Sequence, residues 1–329
     1  MIRYRFDTVD LVLRSDGEAV TAAARAVFDH LGVPEGRTPA PSQVALDLSV
    51  GTDGLTVPDG AREIESADTF VRAWTAPSVL FLTADIPGGR SVLKLDAGAG
   101  RGEGRFHPAL LERPREMTWH TFSLLVSALH VLLRPHGLYP LHAAALGRGG
   151  AGVLLVADSD CGKSTLAYSL VREGWSALSD DTILLSEEDE AIDAVPFRRH
   201  FGLDTVAAGF FPELASGPRL PLAEEDKWVV DVDRRFPGQI SDRLRPEIIV
   251  LPEITDADES SIVAVGVTDA HHALVRQSTL PYWEPDAAKK QLGALARLVG
   301  QTRHYRFLGG RDILRRPARA SELLAPLLS

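Results

Sequence analysis

Gly152-Val153-Leu154-Leu155-Val156-Ala157-Asp158-Ser159-Asp160-Cys161-Gly162-Lys163-Ser164-Thr165 is the stretch on which the reading of this chain turns. The apolar run Gly152 to Val156 predicts a buried strand, and Ser164 to Glu173 reads as a helix capped by Gly174. A strand that feeds a glycine-bearing turn and then a helix points backbone N–H groups, and the positive helix end, at an anion. The usual phosphate-binding pattern is G-x-x-x-x-G-K-[ST]; here Ala157 stands at the first glycine. On this reading Gly162 admits close backbone approach, Lys163 reaches the terminal phosphates of ATP or another nucleoside triphosphate, and the Ser164 hydroxyl binds Mg²⁺. Asp158, Ser159, Asp160, Cys161 and Thr165 complete the cradle. Asp158 and Asp160 bring negative charge to a phosphate site, so they are expected to point away or to help hold metal. The plain alternative is a tight strand–helix turn carrying a surface lysine.

Outward from the loop, Leu141 to Leu146 is strand-like and Gly147 to Gly150 makes a turn. After the helix, Ala177-Leu178-Ser179 leads into Asp180-Asp181, and Thr182-Ile183-Leu184-Leu185 follows. Strand, glycine turn, helix and strand form a βα unit with a parallel crossover. Adjacent carboxylates at a strand end point different ways, so one of Asp180 and Asp181 can serve metal while the other faces an acceptor. Phosphoryl transfer needs positioned partners, neutralised charge and a proton acceptor, and Asp181 fits the last role. A capped, solvated Asp pair is the alternative. His142, in an apolar segment, reads by itself as a core residue.

The 329 residues suggest one large domain or two smaller ones, and 45% hydrophobic residues supply an ample core. A net charge of −10 argues against nucleic acid or an anionic membrane surface as partner. Lysine occurs only at Lys94, Lys163, Lys227, Lys289 and Lys290, which sets off the one inside the turn. One cysteine, Cys161, allows no intrachain disulfide and fits a reducing compartment. No apolar signal core follows Met1, and the apolar run Phe122 to Leu133 is too short to span a bilayer, so a cytoplasmic location is expected.

Residues 1–115 read as a smaller α+β domain without assignable chemistry, a candidate for substrate recognition. It has a strand at Val9 to Ser15, a helix over Glu18 to Leu31, strands at Val79 to Leu82 and Ser91 to Leu95, and an exposed Gly-rich stretch from Asp96 to Arg105. Residues 116–329 read as the second domain, opening on a helix over Glu116 to Leu133. Its 196–245 stretch is irregular; strands are expected at Ile248 to Leu251 and Ile262 to Val265, and helix at Asp286 to Leu298 and Ser321 to Ala325.

The segment Leu141 to Leu185 resembles the catalytic core of HPr kinase/phosphorylase and its relatives. The residues that carry this are Leu141-His142-Ala143, the loop Ala157 to Ser164, Arg172-Glu173-Gly174-Trp175 and Ser179-Asp180-Asp181. His142 stands 21 positions before Lys163, and Asp181 stands 18 after it, as in that family. The resemblance implies an α/β fold with a P-loop core on a mixed or parallel sheet of the HPr kinase / PEP carboxykinase-like type. It implies an ATP-dependent, Mg²⁺-using kinase that phosphorylates a hydroxyl. Lys163 would contact nucleotide phosphates, Ser164 would bind Mg²⁺, Asp181 would accept the proton, and His142 would support Asp181 and the acceptor phosphate. Asp180 would sit beside them, on metal.

Ala157 and Asp160 replace two loop glycines of that family, and its downstream Glu-x-Arg-Gly signature is absent, which argues against HPr itself as acceptor. The layout is more similar to HPr-kinase-related proteins of bacterial biosynthetic clusters, some of which resemble lasso-peptide kinases acting on a serine hydroxyl. Family members form hexamers, which leaves a homo-oligomer open. Pro196-Phe197-Arg198-Arg199-His200 is similar to a basic stretch in those relatives, and Arg198 or Arg199 would neutralise phosphate charge. Arg243, Arg245 and Lys227 are weaker candidates, read mainly as solvated loop charges. The acceptor is expected to be a peptide or protein hydroxyl. A sugar or metabolite alcohol is the alternative acceptor, and a nucleotide-binding regulator without transfer activity is the alternative class.

Overall fold

The computed structural model describes residues 1–34, 36–64, 70–188, 190–197, 201–214, 219–222 and 225–328. The chain forms two compact units, Met1–Leu138 with Pro281–Ala287, and Tyr139–Leu280 with Ala288–Ser329.

The first unit is one eight-stranded sheet with two helices. Its elements are β1 (Ile2–Phe6), β2 (Val9–Ser15), α1 (Glu18–Phe28), β3 (Ser42–Val50), β4 (Arg62–Ile64), β5 (Arg72–Ala76), β6 (Val79–Ile86), β7 (Gly89–Asp96), β8 (Arg101–Phe106) and α2 (Pro114–Leu133). The strand order is β1-β2-β3-β8-β7-β6-β5-β4. β3 lies parallel to both β2 and β8, and the other pairs are antiparallel. The helix expected to open the second domain belongs here, because α2 packs on α1, β6 and β7. The Gly-rich stretch expected to be exposed turns at residues 97–100 and then becomes β8. A Cβ on Gly102 would sit 2.6 Å from Leu46 Cδ2 and one on Gly104 2.6 Å from Leu48 Cδ2, so the bare backbone seats the leucines of β3.

The second unit is a layered α/β arrangement. It holds β9 (Leu138–His142), β10 (Ala144–Arg148), β11 (Ala151–Leu155), α3 (Lys163–Arg172), β12 (Ser176–Ser179), β13 (Thr182–Glu188), β14 (Ala191–Pro196), β15 (Phe201–Leu203), α4 (Thr205–Gly209), β16 (Arg219–Leu222), β17 (Glu225–Val230) and α5 (Val232–Arg235). Then come β18 (Pro246–Ile254), β19 (Ser261–Ala264), α6 (Val267–Arg276), α7 (Pro285–Gln301), β20 (Arg303–Gly309), α8 (Arg311–Arg315) and α9 (Ala318–Leu324). The main sheet runs β12-β10-β11-β18-β20-β19. β11, β18 and β20 are parallel, while β10 and β19 run against their neighbours. β12 is antiparallel to β10 and so points the same way as β11, which makes β11–α3–β12 a parallel crossover that passes over β10.

Strand periodicity sorts the core onto two faces. Val153, Leu155, Ile248 and Val250 pack with Leu166, Ala167, Leu170 and Val171 of α3. Leu154, Val156 and Ile249 pack with Ala270 and Leu274 of α6 and Leu295 and Leu298 of α7. A strand buried on both faces reads as an unbroken apolar run, as Ala151–Leu155 does. The expected strand Leu141 to Leu146 is two strands divided at Ala143: β10 stays in the main sheet and β9 joins β13 and β14. The stretch expected to be irregular, 196–245, contains β15, β16 and β17, which form a small sheet of their own. Among the described residues no helix is long and apolar enough to cross a membrane.

Arg243 and Arg245, weighed above as phosphate ligands, are committed to structure. Arg245 Nε donates to Asp193 Oδ1 at 2.7 Å and Arg243 Nη1 to Asp193 Oδ2 at 3.0 Å. Burial alone would raise the Asp193 carboxyl; the two guanidinium groups outweigh it and hold the group below its ordinary value. A depressed carboxyl stabilises the fold above its unfolded-state pKa and ceases to do so as pH falls through its folded value. Asp193→Asn is therefore expected to cost about 1–3 kcal/mol in urea unfolding at pH 7. The difference from the native chain should shrink when the titration is repeated at progressively lower pH within the acid range.

Candidate functional site

The loop after β11 is fixed at both ends by backbone bonds. Val156 N donates to Val250 O at 2.9 Å, and Leu166 N to Gly162 O at 2.9 Å opens α3. Gly162 has φ 80°, a conformation glycine reaches without a Cβ penalty. Asp160 has φ 64°, and Asp is among the few residues that tolerate this region. Ala157 has no positive φ, so its methyl fits the first position.

Asp158 has partners that balance its charge. Its Oδ2 accepts from Arg276 Nη2 at 2.6 Å and its Oδ1 from Gln277 Nε2 at 2.5 Å. Arg276 ends α6, and the Gln277 carbonyl accepts the backbone N–H of His142 at 2.9 Å. The end of α6 therefore ties the loop to the strand that carries His142. Neither Arg276 nor Gln277 was singled out from the sequence, although Val267, Ala270 and Leu274 carry a helical period.

Lys163, the first residue of α3, is only 6% exposed. Its Nζ lies 2.6 Å from His142 Nε2. An ammonium only donates, so with Lys163 charged Nε2 accepts and the ring hydrogen sits on Nδ1. Nδ1 faces Asp181 Oδ1 at 3.4 Å. Lys163, His142 and Asp181, spaced along the sequence, thus come together in one line.

Asp181 is held by its neighbours. Its N–H donates to Ser179 Oγ at 3.3 Å, Ser179 Oγ donates to Thr182 O at 2.9 Å, and Thr182 Oγ1 donates to Asp181 Oδ2 at 3.1 Å. Asp180 turns the other way: it is 1% exposed, and its Oδ2 accepts from Gly202 N of β15 at 2.8 Å. That bond ties the Asp180 carboxylate to β15. Ser164 lies in the first turn of α3, half-buried, and Ser159 is exposed in the turn. Cys161 is a half-buried free thiol. Arg198 and Arg199 lie outside the described residues, and so does the side chain of Lys227.

Among the described residues no cluster of three or more His, Cys, Asp and Glu is suited to a metal. Mg²⁺ in phosphoryl-transfer sites takes one or two protein oxygens and completes its shell with phosphate and water. The Ser164 hydroxyl, in the first turn of α3, fits that sparse donor set.

No protein-family model matches this chain, and no curated protein matches it. Among solved structures the chain is similar to the HPr(Ser) kinase/phosphatase from Coxiella burnetii, at 19% identity and a TM-score of 0.25 over 36% of this chain. The match spans 59% of that chain's length. Similarity at that score carries neither fold nor activity across, so the reading of this site rests on its own geometry.

Arg276→Ala removes a charged tie on the loop while leaving α6 intact. Amide hydrogen exchange over residues 157–162 is expected to quicken roughly two- to fivefold, the size of an exposed ion pair. Unchanged exchange would show that Gln277 alone restrains Asp158.

Proposed function

We propose that this chain is an ATP-dependent kinase that transfers the γ-phosphoryl group to a hydroxyl, that of a serine in a peptide or protein. The observation that carries the reading is the line Lys163–His142–Asp181 at the end of the loop that precedes α3. A loop that only binds phosphate needs a cation; it needs neither a carboxylate nor an imidazole aligned with it.

In this account the loop 157–162 and the start of α3 form a P-loop, whose backbone N–H groups hold the β- and γ-phosphates. Lys163, bonded to His142, would also turn its ammonium to the phosphate oxygens. The Ser164 hydroxyl would hold Mg²⁺, which when bound would neutralise phosphate charge. The acceptor hydroxyl gives its proton to Asp181 as its oxygen bonds to the γ-phosphorus, and the bond from that phosphorus to the β-bridging oxygen breaks to release ADP. His142 has one nitrogen occupied by Lys163 and the hydrogen of the other aimed at Asp181. Its place is to orient the carboxylate rather than to take the proton itself.

The test is transfer of label from γ-labelled ATP, with Mg²⁺, into a lysate of the source, followed in macromolecular and small-molecule fractions. Label in a peptide or protein is expected; label in a metabolite would move the acceptor to a small alcohol. Lys163→Ala should weaken ATP binding roughly 10- to 100-fold. Asp181→Asn should keep ATP binding and lower transfer by about 10²- to 10⁴-fold, and His142→Ala should fall between that variant and the native chain. Nucleotide binding without transfer in every fraction would favour a regulator, and normal turnover by Asp181→Asn would remove that residue from the mechanism.

A further inference from the structure

The parallel strands of the second unit deliver their C-terminal ends to one edge of the sheet. In sheet order these ends are Asp180-Asp181 after β12, the loop after β11, residues 252–255 at the end of β18, and residues 307–310 at the end of β20. The loop therefore stands between two different neighbourhoods. On one side are Asp181 and His142. On the other is a cavity of about 330 Å³ bounded by Asp160, Cys161, Gly162 and Thr165 and walled by Phe210, Ile254, Phe307 and Ile313. Ligands of open α/β sheets bind at this edge, and the volume is within the range of small-molecule sites.

We infer that this cavity receives the nucleoside of the phosphoryl donor; the inference rests on the kinase reading and assigns the donor's orientation. On the kinase reading, phosphates held in the loop with the terminal one toward Asp181 leave the nucleoside to extend toward β18 and β20. Two observations carry the assignment. The first is contact between loop and wall. A Cβ on Gly162 would lie 3.4 Å from Ile254 Cγ1, so the cavity begins where the loop ends. The second is chemistry. Val206 and Ile254, both at the cavity, are 72% and 66% exposed, a costly placement for large aliphatic side chains unless a flat apolar group covers them. The carboxylates lining the cavity, Asp160, Asp204 and Glu253, outnumber its one guanidinium, Arg311. Such a rim repels phosphate and suits the uncharged end of a nucleotide, so phosphates stay in the loop and the base enters the cavity.

The experiment compares ATP with inorganic tripolyphosphate, each with Mg²⁺, by titration calorimetry on the full chain. The proteins are the native chain, Ile254→Ser, Val206→Ser and the double variant. Both positions are exposed, and urea unfolding checks that each variant keeps its fold. The inference predicts that each single substitution weakens ATP binding about tenfold and the double variant more, with tripolyphosphate affinity unchanged. Unchanged ATP affinity in the double variant would overturn the cavity assignment and leave the kinase reading standing. An equal loss for both ligands would also overturn it, since the residues would then act through the loop. Failure of the native chain to bind either ligand would overturn the donor reading, and the cavity assignment with it.

Discussion

The contact between Lys163 and His142 is the constraint around which the second unit is arranged. A lysine that is 6% exposed must have its ammonium satisfied inside the protein, and His142 Nε2 does so at 2.6 Å. That bond fixes the imidazole tautomer, and the tautomer aims Nδ1 at Asp181. Three elements must then keep their relative positions: β9 with His142, α3 with Lys163, and the β12–β13 turn with Asp181. The end of α6 helps to hold them, since Gln277 bonds the loop through its side chain and β9 through its carbonyl. Burial of one cation thus sets demands on strand order, on helix placement and on a loop carboxylate.

The sheet supplies the rest. Two apolar faces, one under α3 and one under α6 and α7, make the strands rigid and leave chemistry only at their ends. Because β11, β12, β18 and β20 all point the same way, their ends form a single edge with the glycine turn in the middle. The polar line toward β12 and the apolar cavity toward β20 are opposite halves of that edge.

Much of this was legible in the sequence because the signals are local. The run Ala151–Leu155, the helix that starts at Lys163 and the Asp pair after β12 each follow from a few neighbouring residues. His142, Lys163 and Asp181 are grouped in the sequence only through the family resemblance; the structure places Lys163 against His142 and His142 against Asp181. What escaped depends on distant partners. β20 (Arg-His-Tyr-Arg-Phe-Leu-Gly) looks polar, yet β18 on one side and β19 on the other make it a strand. β8 looks like a loop because its glycines leave room for leucines of β3 and β7. The balance of Asp158 by Arg276 and Gln277 joins positions more than a hundred residues apart. The inward turn of Asp180 depends on β15, in a stretch whose sequence reads as irregular.

The most direct measurement is a crystal structure of the chain with Mg²⁺ and a non-hydrolysable ATP analogue. The account predicts the β- and γ-phosphates against the backbone N–H groups of residues 158–164. It predicts Lys163 Nζ in hydrogen-bond reach of a phosphate oxygen, and the γ-phosphate on the Asp181 side of the loop. An analogue bound elsewhere, or phosphates in the loop with the terminal one turned away from Asp181, would contradict it.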